Sequence, residues 1–68
     1  METALLITES LKYIELHLKD PLTTAEISRA IGYSEFYFSR RFKKEMKMTV
    51  MEYVKGRKLL KASEEILD

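Results

Sequence analysis

Thr23-Thr24-Ala25-Glu26-Ile27-Ser28-Arg29-Ala30-Ile31-Gly32-Tyr33-Ser34-Glu35-Phe36-Tyr37-Phe38-Ser39-Arg40-Arg41-Phe42 reads as two short helices separated by one glycine. Thr23 and Glu26 match a capping box, in which the Thr23 hydroxyl accepts the Glu26 amide and the Glu26 carboxylate reaches back to the Thr23 amide. The helix this opens is predicted over about 24–31, with Ile27, Ala30 and Ile31 facing inward. Gly32 stands just past its end, where a left-handed backbone costs a glycine little. Ser34 then offers a fresh N-cap, and the next helix is predicted over about 35–46, anchored by Phe38 and Phe42 at i, i+4. Glu35, Phe36, Ser39, Arg40 and Lys43 fall on its other side.

Working outward, Ala4, Ile7, Leu11, Ile14 and Leu18 recur at helical spacing and predict an amphipathic helix over about 4–18. Leu5, Leu6, Tyr13 and Leu16 widen its apolar stripe, and Asp20-Pro21 ends it. On the other side, Thr49-Val50-Met51-Glu52 repeats the capping box and opens a fourth helix over about 50–66. Val50, Tyr53, Val54, Leu59, Leu60, Ala62 and Ile66 supply its apolar positions. With no alternating pattern, repeat or linker, the expected fold class is all-α: a small four-helix domain containing a homeodomain-like helix-turn-helix. The length of 68 residues allows one such domain, 46% hydrophobic and 34% charged, with a core small enough to depend on good packing.

Two helices joined by a glycine turn, the second basic on its outward face, are what a major-groove reader requires. Ile27, Ile31 and Phe38 must pack where the helices cross, and a small residue, Ser28, must sit at the closest approach. Charge points the same way. The formal net charge is +1, yet residues 1–28 carry a net −3 and residues 29–61 a net +7. A positive block in a near-neutral chain suits a polyanion partner, although a solvated lysine-rich helix face produces the same count.

Other function classes find little here. The chain has no cysteine, which removes disulfides, thiolate metal sites and thiol nucleophiles together. His17 is the single histidine, so packing or surface hydrogen bonding is its expected role rather than metal ligation. Glu64 and Glu65 are consecutive on a helix, point apart, and read as a solvated tail rather than an acid/base pair. No serine has a base at readable spacing, and no glycine-rich loop offers to hold a nucleotide, so neither enzyme activity nor a cofactor is expected. Met46, Met48 and Met51 read as core filling before a partner-binding patch. No run is long and apolar enough for a membrane span, and Met1-Glu2-Thr3-Ala4-Leu5 does not read as a signal peptide. A cytoplasmic location is expected.

Asp20-Pro21-Leu22-Thr23, Ile27, Gly32-Tyr33-Ser34, Tyr37-Phe38-Ser39-Arg40-Arg41-Phe42-Lys43-Lys44, Thr49 and Tyr53 together resemble the AraC/XylS family of bacterial transcription activators. The resemblance implies double-stranded DNA as partner, with the helix over 35–46 in the major groove. It carries base reading to Glu35, Phe36, Ser39, Arg40 and Lys43, with Arg40 suited to guanine and Phe36 to a thymine methyl. Thr24, Ser34 and Lys44 are the expected phosphate contacts, the first two together with the amides that open their helices. In that family two helix-turn-helix subdomains are joined by a long helix. The expected organisation here is the first of those subdomains together with the linking helix, all within residues 1–68, with the second subdomain absent. A second subdomain, a regulatory domain and RNA polymerase are the further partners implied for a full-length regulator. The family usually carries glycine before the cap of the linking helix, where this chain has Lys47-Met48-Thr49. A helical protein–protein module using Met46, Met48, Met51 and the last helix is the alternative from another class.

Overall fold

A computed structural model describes residues 2–67, with side chains from 3 to 61. Its four helices are α1 (Glu2–Leu16), α2 (Thr24–Ile31), α3 (Glu35–Met46) and α4 (Val50–Leu67), and no strand occurs among the described residues. α1 packs on α2 and α3, α2 packs on α3, and α3 packs on α4. The core is Leu6, Ile14, Leu18, Leu22, Ile27, Phe38, Phe42, Val50 and Val54, so every helix and the α1–α2 connection contribute. Phe42 lies at its centre, edge-on to Phe38 at 5.7 Å and to Tyr53 at 5.9 Å. Those two edge-to-face contacts tie α3 to itself and to α4.

α2 and α3 begin and end where capping chemistry places them. α1 instead stops at Leu16, two residues before the expected Leu18. The His17 amide is shared between the carbonyls of Tyr13 and Ile14 at 3.1 and 3.2 Å, and the Asp20 amide closes a tight turn onto the His17 carbonyl at 3.0 Å. This turn swings Leu18 into the core ahead of Pro21. It also frees carbonyls that need donors, and Lys58 of α4 supplies them: its Nζ donates to the Leu18 and Asp20 carbonyls, both at 2.7 Å. His17 packs on the Tyr13 ring and meets the Asp20 carboxylate at 3.2 Å.

The buried line of α1 is Leu6, Ser10 and Ile14, rotated from the predicted stripe, and Ala4 stands outside it. Ser10 is fully buried because it is small and spends its hydroxyl on the Ile7 carbonyl at 2.8 Å. Leu5 and Leu16, expected to widen the stripe, are exposed, as is Ala30 on α2. Leu59 and Leu60 also point outward. The neighbouring Arg57 reaches Glu15 of α1 and Lys58 the turn that follows it, which turns the two leucines away from them. Side chains of Ala62, Glu64, Glu65 and Ile66 lie outside the described residues. Met46 and Met51 are half-buried and Met48 is exposed.

Candidate nucleic-acid interface

The geometry of α2 and α3 is set by three local devices. Thr23, in extended conformation, accepts the Glu26 amide at 3.1 Å and starts α2. Gly32 ends it at φ 86°, with the Tyr33 amide on the Ser28 carbonyl (2.9 Å) and the Gly32 amide on the Arg29 carbonyl (3.3 Å). That paired closure is a Schellman motif, and its left-handed residue favours glycine. Ser34 then accepts the Tyr37 amide at 3.2 Å and starts α3. Ile27 and Ser28 of α2 and Phe38 and Phe42 of α3 are buried where the helices meet. Ser28 gives its hydroxyl to the Ala25 carbonyl, 2.9 Å away, so the close approach leaves no orphaned donor.

Burying Phe38 and Phe42 dictates what α3 turns outward. At 100° per residue, Arg40 lies about 180° from the midpoint of that pair, Phe36 and Lys44 about 140°, and Lys43 about 120°. All four are exposed. Ser39 lies only about 80° away and Glu35 about 40°. Ser39 is accordingly half-buried, its hydroxyl donated to the Phe36 carbonyl at 3.2 Å. Glu35 stays exposed because it stands in the first turn, at the helix end. A surface cleft of about 520 Å³ brings Ser34, Phe36, Arg40 and Lys44 together with Tyr37 and Arg41. Thr24, Glu35, Ser39 and Lys43 are not part of its lining; Thr24 is half-buried at the start of α2.

Two arginine–aromatic pairs run side by side along this helix. The Arg40 guanidinium lies over the Phe36 ring, 5.3 Å from its centroid. Arg41 lies over Tyr37 at 5.5 Å, its Nε 3.4 Å from the Tyr37 hydroxyl, and Tyr37 stacks on Tyr33 at 5.7 Å. The spacing of Tyr33, Tyr37 and Arg41, each one turn on, was the available sequence signal for this second set.

The basic block divides once it is folded. Arg57 is bound bidentately to Glu15 at 2.8 Å by both Nε and Nη2, and Lys58 holds the α1–α2 turn, so both serve the scaffold. That Arg57 hydrogen bond keeps the Glu15 carboxyl below its usual range. Nothing local in the sequence reveals these roles, because the partners lie 42, 40 and 38 residues away. At the far end of α3, Lys47 adopts φ 63° and its amide closes onto the Lys43 carbonyl at 2.9 Å. A lysine therefore fills the left-handed position expected of glycine. Thr49 and Glu52 then form a reciprocal capping box at 2.8 and 3.1 Å; the Thr49 amide holds the Glu52 carboxyl below its usual range.

A larger cleft of about 840 Å³ lies between α1 and α2, lined by Leu11, Leu16 and Ile31 with Glu9 and Glu15 at its rim. Lys12 also lines it, and Glu15 is already paired with Arg57, so its lining has no net positive charge to offer a phosphate backbone. Among the described residues, no cluster of three or more His, Asp or Glu side chains is placed to hold a metal, and no helix is long and apolar enough to cross a membrane.

The family model of bacterial regulatory helix-turn-helix proteins, AraC family, matches residues 14–55. The transposon Tn10 TetD protein of Escherichia coli is 35% identical over 60 residues, 88% of this chain and 44% of that protein. The multiple antibiotic resistance protein MarA of Escherichia coli strain K12 is 32% identical over 63 residues, 93% of this chain and 50% of that protein. The regulatory protein SoxS of Salmonella typhimurium is 31% identical over 61 residues, 90% of this chain and 57% of that protein. The chain thus spans about half the length of these curated relatives. No solved structure matches it significantly.

Proposed function

This chain belongs to the AraC family of bacterial regulatory helix-turn-helix proteins, and on that premise we propose that it binds double-stranded DNA with α3 as the reading helix in the major groove. One observation carries the reading. The side of α3 opposite Phe38 and Phe42 presents Phe36, Arg40, Lys43 and Lys44 to solvent, with no carboxylate among them. Arg40, at the centre of that face, donates two parallel hydrogen bonds to guanine O6 and N7. Glu35, Phe36, Ser39 and Lys43 flank it along the groove. Thr24, the Ser34 hydroxyl proton and Lys44 contact phosphates, assisted by the unpaired amides of the first turns of α2 and α3. In the full-length regulator a second helix-turn-helix subdomain and a regulatory domain complete the assembly, with RNA polymerase as a further partner.

The test is a set of anisotropy titrations on duplexes selected from a random pool and on scrambled duplexes, across several salt concentrations. A single unit of this size contacts few phosphates, so the series starts at low salt. Arg40→Ala is expected to lose about 1–3 kcal/mol on selected sites and less on scrambled ones. Lys44→Ala is expected to weaken both alike and to lower the salt slope by about one ion. If Arg40→Ala keeps the parent's specificity ratio, α3 does not read DNA. Salt-insensitive self-association would instead favour the protein–protein alternative, for which the outward Leu59, Leu60 and Met48 supply apolar surface.

A further inference from the structure

We propose that Phe36 is also a positioning residue, whose exposed ring presets the Arg40 guanidinium for a guanine edge. This deepens, and rests on, the assignment of α3 as the reading helix. Phe36 is 60% exposed, an unfavourable place for a phenyl ring unless something covers it, and Arg40 lies over it at 5.3 Å. Three features aim the arginine the same way. Side chains on a helix lean toward its N-terminus, so Arg40 falls back onto the residue one turn earlier. Lys43 and Lys44, three and four residues later, repel the guanidinium from the other side. The ring attracts it through its negative face. The N-terminal part of a reading helix is the part that meets base edges, so this lean carries Arg40 toward them.

The neighbouring pair shows why the ring is useful here as a phenyl. Tyr37 offers Arg41 a hydroxyl, and the Arg41 Nε lies 3.4 Å from it in a half-buried setting. Phe36 has no acceptor, so stacking orients the Arg40 fork without occupying its N–H groups. A flexible, fully charged side chain among lysines otherwise spreads over many rotamers, and ordering it only on binding weakens the contact.

The experiment is a double-mutant cycle on the same titrations, reading the preference for guanine over other bases at the position that Arg40→Ala relaxes. Phe36→Leu is expected to reduce that preference about two- to five-fold, the worth of an exposed cation–π contact. Phe36→Trp, which keeps an aromatic face, is expected to retain it. On an Arg40→Ala background Phe36→Leu is expected to change nothing further. Far-UV circular dichroism confirms that each variant is folded. If Phe36→Leu keeps the parent's preference, or lowers it equally with and without Arg40, the ring does not act through the arginine and the positioning role is overturned. If Arg40→Ala itself leaves the preference unchanged, the reading of α3 fails first and this role fails with it.

Discussion

Replacing Phe42 by alanine should unfold this domain at 37 °C, whereas the same change at Phe36, six residues earlier on the same helix, should not. Phe42 is fully buried and meets the edges or faces of Phe38 and Tyr53 at 5.7 and 5.9 Å. Truncating such a ring removes its transfer free energy and leaves a cavity, together about 3–5 kcal/mol. At roughly 0.05–0.15 kcal/mol per residue, a chain of this length holds about 3–10 kcal/mol in total. The loss is thus comparable with the whole. For a small domain each kcal/mol moves the melting temperature by about 4–8 °C, so the midpoint should fall by about 12–40 °C. Phe36 touches solvent over most of its surface, and its truncation should cost within about 0.5 kcal/mol. Thermal melts followed at 222 nm compare the two directly. Equal midpoints would mean that the inward and outward faces of α3 have been assigned wrongly, and the DNA-reading face with them.

Two further expectations concern backbone and charge. Gly32 and Lys47 share the left-handed region, at φ 86° and 63°, so exchanging their residue types should have opposite effects. Gly32→Ala should destabilise by about 1–2 kcal/mol from conformation alone, since an added Cβ meets nothing within 4 Å, and Lys47→Gly should stabilise by up to about 1 kcal/mol. Urea titrations check both signs, and a neutral Gly32→Ala would contradict the argument. The Glu15–Arg57 pair adds a pH dependence. Because the folded carboxyl is held below its usual range, its contribution is complete above the ordinary carboxylate range of the unfolded chain and is lost as pH falls through the folded value. Both side chains are over a third exposed, so Glu15→Gln should cost less than about 1 kcal/mol at neutral pH. Its melting midpoint should converge with the parent's in strong acid, and a gap that persisted there would place the effect in packing rather than charge.

Local chemistry alone determined much of this molecule. The bounds of α2 and α3 follow from Thr23, Gly32 and Ser34, because capping and left-handed closure are satisfied within a few residues. The outward set Phe36, Arg40, Lys43 and Lys44 follows from the positions of Phe38 and Phe42 and the pitch of a helix. Where the reading erred, the deciding partner lay far along the chain. α1 ends at Leu16 because the turn that follows frees carbonyls that accept from Lys58, and neither end announces the other. Ser10 is buried and Leu16 exposed because packing on α2 and α3 rotates α1, which its own periodicity could not specify. Arg57 and Lys58 look like part of a polyanion-binding block until the fold spends them on Glu15, Leu18 and Asp20. Helix periods and caps are properties of neighbouring residues, and a sequence displays them. Which face a helix buries, and which charges remain for a ligand, depend on contacts between residues tens of positions apart, and only the folded chain brings these together.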